Sequence, residues 1–154
     1  MMSRRGMMLC LLTLVAAPAG VRAQGRIEVW RDAGCGCCGG WIAHLREGGF
    51  AVTDNKVRDL EQARRMLGLP DDLRSCHVAR LDGYLIEGHV PGAALRRLLA
   101  ERPPRLRGVA VPGMPVGSPG MEVPGQADEI YDVIAFGEGS ERWPFMRFRG
   151  LRPA

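Results

Sequence analysis

Apolar and polar residues alternate over residues 26–30, which predicts a short first strand. A tight, glycine-bearing turn follows over residues 32–38. From Cys38 onward, apolar side chains recur three, four and seven positions later, which is the spacing of one helix face. This helix is predicted to run to Glu47, because two consecutive glycines follow it. Its predicted buried face consists of Cys38, Trp41, Ile42 and Leu45.

A second strand and a well-delimited second helix are predicted next. Residues 50–57 have strand character. Asp59 followed three residues later by Gln62 is the signature of a helix amino terminus. The two arginines at positions 64–65 of this helix are predicted to lie on its solvated face, because Glu61 precedes the second of them by four residues.

A β-hairpin and a third helix follow. Residues 76–81 and 84–90 are predicted strands, joined by the Asp-Gly dipeptide at positions 82–83, which is a strong hairpin signal. The Pro-Gly pair at positions 91–92 opens the helix, and the two prolines at positions 103–104 end it.

The last third of the chain contains an unusual loop between short strands. Residues 109–111 and 130–136 are predicted strands, and residues 143–148 are predicted to add an edge strand or to pack as an extended tail. Residues 112–125 contain proline and glycine at a density that excludes helix and sheet interior. This segment is predicted to be either an ordered loop or a flexible flap.

The order of these elements predicts an α/β protein with a thioredoxin-like fold. It would have a mixed central sheet, flanking helices and a long Pro/Gly/Met loop. In such folds the active cysteines occupy the turn between the first strand and the first helix. One expected feature is missing. Thioredoxin-like redox enzymes carry a cis-proline immediately before the corresponding strand, whereas no proline immediately precedes the predicted strand at Cys76.

The amino terminus has the pattern of a secretory signal peptide. Arg4 and Arg5 precede the apolar run of residues 7–17, and a small-residue pattern ends at Ala23. Cleavage there predicts a periplasmic protein with one domain, residues 24–154. The apolar run is shorter than the roughly 20 residues of a membrane-spanning helix, so no membrane insertion is expected after cleavage.

Net charge argues against nucleic acid as a partner. Loss of residues 1–23 removes three arginines and no acidic residue, so the formal charge falls from +4 to +1. The remaining arginines are interleaved with acidic residues, whereas a nucleic-acid-binding protein is expected to keep a clustered basic face.

Four cysteines remain after cleavage, and in an oxidising compartment four cysteines ordinarily form two disulfides. The α-carbons of adjacent residues are about 3.8 Å apart, which is too close for an ordinary disulfide between Cys37 and Cys38. The least strained fully oxidised form pairs Cys35 with Cys38 and Cys37 with Cys76. A purely structural disulfide module of this kind remains one alternative.

The cysteine turn also suits a metal. The helix amino terminus beside Cys35 and Cys38 stabilises thiolate over thiol through its free amide hydrogens and its dipole. A disulfide gains most when it closes a long loop, and this cluster closes almost none. Thiolate and thioether ligands select Cu(I), zinc or iron–sulfur clusters, and zinc favours two spaced C-x-x-C pairs, of which this chain has one.

Other imidazole and thioether side chains favour copper. Met114 and Met121 lie in the loop, where no core packing requires them. His89 lies at a strand-to-helix junction. His77 adjoins Cys76 in the predicted strand, so its side chain is predicted to point to the opposite face.

Two more side chains are predicted to have ordinary structural roles. His44 lies off the apolar face of the first helix and is predicted to be a surface residue. Trp41 is predicted to be a core residue that also shields the nearby sulfurs from solvent.

Four blocks of sequence carry a family resemblance. They are C-G-C-C-x-x-W from Cys35, S-C-H from Ser75, E-G-H-V-P from Glu87 and V-P-G-M-P-x-G-S-P-G-M-E from Val111. In this order they resemble the copper-resistance protein CopG family, and the resemblance covers residues 27–145.

The resemblance implies a periplasmic thioredoxin-like protein that binds several Cu(I) ions. It also implies interconversion of Cu(I) and Cu(II), or transfer of copper to periplasmic chaperones or efflux components. Carried over residue by residue, the metal ligands are Cys35, Cys37, Cys38 and Cys76, with His77, His89, Met114 and Met121 as further candidates.

A function of a different class is a thiol-disulfide oxidoreductase acting on periplasmic proteins. Cys35 would then be the more exposed nucleophile and Cys38 the resolving cysteine. The missing cis-proline is the sequence feature against this alternative.

Overall fold

The elements follow the predicted order of strands and helices. A computed structural model describes residues 24–154, and the predicted signal peptide, residues 1–23, lies outside the described residues. Within this range the strands are β1 (Arg26–Asp32), β2 (Ala51–Val57), β3 (His77–Leu81), β4 (Tyr84–Glu87), β5 (Gly108–Ala110), β6 (Ile130–Phe136), β7 (Arg142–Arg149) and β8 (Arg152–Pro153). The helices are α1 (Gly36–Glu47), α2 (Leu60–Leu67) and α3 (Gly92–Glu101).

All eight strands join one mixed sheet in the order β2-β1-β3-β4-β5-β6-β7-β8. The pairs β1 with β2 and β4 with β5 are parallel, and the other neighbours are antiparallel. The α/β class with a mixed sheet and flanking helices is therefore confirmed.

Two apolar clusters cover the two faces of this sheet. The larger one includes Trp41 of α1 and Leu95 of α3, and the smaller one includes Ala63 of α2. Val78 belongs to the smaller cluster and its neighbour Ala79 to the larger one, as the alternation of side chains along a strand requires. Helices α1 and α3 therefore pack on one face and α2 on the other. The predicted buried face of α1 is confirmed.

Local sequence signals account for the ends of several elements. The Asp59 carboxylate accepts a hydrogen bond of 2.9 Å from the backbone N–H of Gln62, so it caps α2 as predicted. Asp82 and Gly83 have φ angles of 48° and 91°, the left-handed values of a tight two-residue hairpin. At Gly88, φ is 73°, which ends β4 at Glu87 rather than at the predicted residue 90.

The carboxyl-terminal strands depart from the prediction in one respect. The predicted edge strand over residues 143–148 is longer and lies inside the sheet, between β6 and β8. The edge strand at this end of the sheet is β8, which has two residues and was not predicted from the sequence. Gly150, with a φ of 57°, lies in the turn after β7, and this turn lets the two residues of β8 pair with β7.

The loop of residues 112–125 forms neither helix nor strand, as its composition predicts. The N–H of Met121 donates to the carbonyl of Ser118 over 2.8 Å, and the N–H of Gly117 donates to the carbonyl of Met121 over 2.9 Å. The N–H of Gly113 donates to the carbonyl of Arg74 over 3.0 Å. The structure therefore favours the ordered loop over the flap.

No helix among the described residues has the length and apolar character needed to cross a membrane.

Candidate metal centre

The turn before α1 is fixed by hydrogen bonds to its backbone. The Asp32 carboxylate accepts a bond of 2.7 Å from the N–H of Gly34, and the Asp32 carbonyl accepts one of 3.2 Å from the N–H of Cys35. The guanidinium of Arg31, paired with Asp54, donates to the carbonyl of Cys35 over 3.2 Å. These bonds place three cysteines around the first turn of α1.

The fourth cysteine completes a compact group of sulfurs, which we call the four-sulfur cluster. Cys76 Sγ lies 3.5 Å from Cys38 Sγ and 3.9 Å from Cys37 Sγ, and Cys37 Sγ lies 3.4 Å from Cys35 Sγ. All four sulfurs lie within 4.8 Å of one another. Sulfurs that share one tetrahedral metal, each at about 2.3 Å from it, would lie about 3.8 Å apart, so the three distances just given fit metal binding.

Two of the four sulfurs are bonded to each other in this structure. Cys35 and Cys38 form a disulfide, whereas Cys37 and Cys76 are free thiols. The predicted second bond, between Cys37 and Cys76, is not formed. All four cysteines can act as thiolate ligands only after the disulfide is reduced.

His89 is held against Cys76 by the loop. Its Nδ1 lies 2.8 Å from the carbonyl oxygen of Pro119, and its Nε2 lies 2.8 Å from Cys76 Sγ. Because the carbonyl can only accept, Nδ1 carries the proton and Nε2 presents a lone pair to the sulfur. This arrangement is typical of metal-binding histidines, whose second nitrogen donates to a carbonyl.

His77 also contacts Cys76, and the prediction that it points to the opposite face is wrong. Its Nδ1 lies 3.4 Å from Cys76 Sγ. The reason is that β3 begins at His77, so Cys76 precedes the strand and strand alternation does not apply to the pair. The ring is fully buried, and its centroid lies 4.3 Å from that of Trp41.

A buried ion pair holds the chain beside Cys76, and it overturns the prediction of a solvated Arg64. The guanidinium of Arg64, 2% exposed, donates twice to the fully buried carboxylate of Glu87, over 2.7 and 3.1 Å. Glu87 also accepts from the N–H of Ser75 over 2.7 Å, and Arg64 donates to the Ser75 carbonyl over 2.9 Å. Arg65 is exposed as predicted. Arg64 turns inward because it pairs with Glu87 on β4. Glu87 lies far along the chain, so the pattern within α2 did not predict this partner.

The loop packs closely on the start of α1. A Cβ added to Gly40 would lie 2.8 Å from the α-carbon of Gly120, and one added to Gly120 would clash with the Cys37 carbonyl oxygen. Met121 is half-buried in this region, and Met114 is 53% exposed. Their role as ligands stays a prediction.

The remaining predicted residues have mixed outcomes. Trp41 is fully buried and donates from its indole N–H to the Val90 carbonyl over 2.8 Å, which confirms its core role. His44 is half-buried rather than a plain surface residue, and its Nε2 accepts a bond of 3.1 Å from the N–H of Gly92. It therefore connects α1 to the first turn of α3.

Burial sets the protonation of these groups. It raises the pKa of the Cys76 thiol to about 12, with a further contribution from neighbouring Cys37. Burial lowers the pKa of His77 well below its ordinary value and also lowers the pKa of His89. The imidazoles are therefore neutral, the form in which histidine binds metals.

Fold and site together define a class of protein: a small mixed α/β protein whose clustered cysteines can hold metal. A family model described as a protein of unknown function, DUF411, matches residues 73–121. Two solved structures, both of "Copper resistance protein copG", forms 2 and 1, are 41% and 42% identical to the chain, with TM-scores of 0.75 and 0.74. They cover 80% and 81% of this chain, which in turn covers 98% of each. No curated protein matches. The chain belongs to the copper resistance protein CopG family.

Proposed function

We propose that this protein is exported to the periplasm and contributes to copper resistance by holding several Cu(I) ions in the four-sulfur cluster. The observation that carries the proposal is the convergence within 4.8 Å of four sulfurs, three from the amino-terminal turn of α1 and one from the residue before β3. Soft thiolates are the ligands that Cu(I) prefers, and a sulfur can bridge two such ions. Copper is the protein's cargo in this proposal.

The solved relatives support the choice of metal, because both carry the name of a copper resistance protein. The arginine pair, apolar run and small-residue pattern of residues 1–23 support export. The order β2-β1-β3-β4, with β1 and β2 parallel and the cysteine turn between β1 and α1, supports a thioredoxin-like core. The strands β5–β8 extend that core.

Anaerobic loading with Cu(I) tests the proposal. The exported protein is first reduced and then titrated with Cu(I), and the metal bound per chain is measured by elemental analysis. We expect more than one copper ion per chain, and a lower ratio after Cys37→Ser or Cys76→Ser. His44→Gln, which removes an imidazole outside the cluster, is the matched control and should bind as the unchanged protein does. A ratio well below one copper per chain in the reduced protein would reject the proposal.

Export has its own readout. Mass spectrometry of the protein recovered from the periplasmic fraction should give a chain that begins at Gln24. A chain that retains Met1 and stays in the cytoplasm would contradict this part of the proposal.

A thiol-disulfide oxidoreductase is a second candidate, which the disulfide between Cys35 and Cys38 at the start of α1 favours. Cys35 is half-buried and Cys38 fully buried, as expected for an attacking and a resolving cysteine. Reduction of insulin disulfides would be lost in Cys35→Ser if this function is correct. Loss of that activity with Cu(I) loading unchanged would favour the oxidoreductase over the copper cluster.

Interconversion of Cu(I) and Cu(II) is a proposal from the family resemblance, and copper-dependent oxygen consumption by the loaded protein would test it.

A further inference from the structure

Arg31 is a buried cation beside the cysteine turn. It lies two residues after Val29 on β1, so both side chains point to the sheet face that α1 covers. In the register of β1 and β2, Val29 is opposite Asp54. The Arg31 side chain therefore reaches back to Asp54 on the neighbouring strand, and the residue is only 8% exposed.

The guanidinium of Arg31 uses its donors in two directions. Nε and Nη2 donate to the two carboxylate oxygens of Asp54, each over 2.8 Å. Nη1 donates to two backbone carbonyls of the turn, that of Asp32 over 3.3 Å and that of Cys35 over 3.2 Å. The hydrogen bonds from Arg31 hold the pKa of the Asp54 carboxyl below its ordinary value, so the carboxylate stays charged at neutral pH. Asp54 thus fixes one edge of the planar guanidinium, and the remaining nitrogen holds the turn.

Cys35 depends on this contact because its other restraints are weak. It is the N-cap residue of α1, and its side chain makes no capping hydrogen bond. Its carbonyl accepts a bond from the N–H of Gly39 over 3.4 Å, which is long for a helical bond. The donor on Arg31 is charged, and charge-assisted bonds are stronger than neutral ones. Arg31 therefore supplies a substantial part of the restraint on Cys35.

We propose that Arg31 is a positioning residue that acts through the Cys35 carbonyl and makes the disulfide between Cys35 and Cys38 harder to reduce. In the oxidised protein, the S–S bond itself ties Cys35 to the first turn of α1. In the reduced protein that tie is absent, and the contact with Arg31 keeps the Cys35 thiol beside Cys38. Two thiols held side by side re-form their bond more readily than two thiols in a loose turn, because less chain entropy is lost.

The consequence concerns how readily the four-sulfur cluster becomes available, and to this extent the inference rests on the proposed function. An external dithiol breaks the S–S bond of the protein and forms one of its own, as two electrons and two protons pass to the sulfurs of Cys35 and Cys38. Arg31 shifts this equilibrium toward the oxidised protein. The four-thiol state is thereby restricted to more strongly reducing conditions.

Equilibration with dithiothreitol tests this role. The metal-free exported protein is incubated without oxygen in mixtures of reduced and oxidised dithiothreitol, with a chelator present. Free thiols are then alkylated, and tandem mass spectrometry gives the fraction of chains in which Cys35 is bonded to Cys38. Arg31→Met should raise the equilibrium constant for reduction by about threefold to tenfold, where tenfold corresponds to about 30 mV in the two-electron potential.

Two further variants separate positioning from charge and from general stability. Arg31→Lys keeps the charge, but an ammonium group cannot span Asp54 and the turn carbonyls as the guanidinium does. It should therefore shift the equilibrium in the same direction as Arg31→Met. Arg80→Met is the matched control, because Arg80 lies on β3 and pairs across the sheet with Glu28 on β1 over 2.9 Å. It should leave the equilibrium constant unchanged.

Three results would overturn the proposal. The first is a change in Arg31→Met of less than about threefold, or a change in the opposite direction. The second is an Arg31→Lys variant that behaves as the unchanged protein does, since charge alone would then suffice. The third is an equal shift in Arg80→Met, which would indicate a general loss of stability. Circular dichroism checks that Arg31→Met has folded, and Arg31→Lys carries the test if it has not.

The outcome is distinguishable from that of the proposed function, because the dithiothreitol equilibrium is measured on metal-free protein. An unchanged equilibrium constant in Arg31→Met, with several Cu(I) ions bound to the reduced protein, would reject the role of Arg31 alone. A raised equilibrium constant, with no Cu(I) bound after reduction, would reject the four-sulfur cluster alone.

Discussion

The ion pair between Arg64 and Glu87 provides the sharpest test of how the fold positions Cys76. Glu87→Leu removes the carboxylate and leaves the guanidinium of Arg64, only 2% exposed, without its main partner. It also leaves the N–H of Ser75 without its acceptor. We therefore expect the variant to lose a large part of its stability.

The magnitude follows from burial. Breaking a buried ion pair by removing one partner costs about 3–5 kcal/mol, and we expect the lower end of that range because Arg64 keeps its ion pair with Glu61. The half-buried N–H of Ser75, left without its acceptor, adds about 1 kcal/mol. A domain of this size has a total stability of about 5–15 kcal/mol.

Arg64→Met should lower the free energy of unfolding less at acidic pH than at neutral pH. Burial raises the pKa of Glu87, so the isolated carboxylate can become neutral by taking up a proton.

Urea unfolding of the metal-free protein measures these losses, with Glu101→Gln as the control. Glu101 pairs with Arg97 on the exposed surface of α3, where such a pair contributes about 0.3–0.5 kcal/mol. If Glu87→Leu costs no more than Glu101→Gln, the ion pair does not hold the structure in the way described.

The double variant Arg64→Met with Glu87→Leu separates stability from positioning. Replacing both charges by apolar groups is often neutral for stability or better. The backbone of Ser75 would still lose two hydrogen bonds, one to Glu87 and one from Arg64. We expect most of the stability to recover, apart from the cost of these two hydrogen bonds, and Cu(I) loading of the reduced protein to remain weaker. Full recovery of both would show that the pair does not position Cys76.

Three further predictions concern contacts around the site. Gly40→Ala places a Cβ 2.8 Å from the α-carbon of Gly120, so it should lower the free energy of unfolding in urea by about 1–3 kcal/mol. It should also increase proteolysis of the loop. Gly39→Ala is the control, because a Cβ there meets nothing within 4 Å. Trp41→Phe leaves the Val90 carbonyl without its indole donor and should lower the free energy of unfolding by about 1–3 kcal/mol; an unchanged urea midpoint would contradict this. Burial lowers the pKa of His44, so this residue stabilises the fold above its ordinary pKa of 6.5, and that contribution is lost as the pH falls below 6.5. His44→Gln should therefore reduce the difference between urea midpoints at pH 7.5 and 5.5, and an unaltered difference would refute this role.

The sequence by itself determined the elements whose signals are local. The Asp59 cap, the turn at Asp82 and Gly83 and the buried face of α1 depend on residues only a few positions apart. The four sequence blocks, of which the cysteine motif is one, identified the family for the same reason, because each block is visible along the chain. The mixed α/β class followed from the order of these elements.

Only the tertiary structure decided which distant groups meet. Arg64 looked like a surface residue because its partner, Glu87, lies on another element and no spacing rule connects the two. His77 was assigned to the wrong face because β3 begins one residue later than predicted. The contact of His89 with both Pro119 and Cys76 depends on how a long loop packs onto α1. Such contacts arise when α1, the hairpin and the loop pack together, so a pattern read along one segment does not contain them.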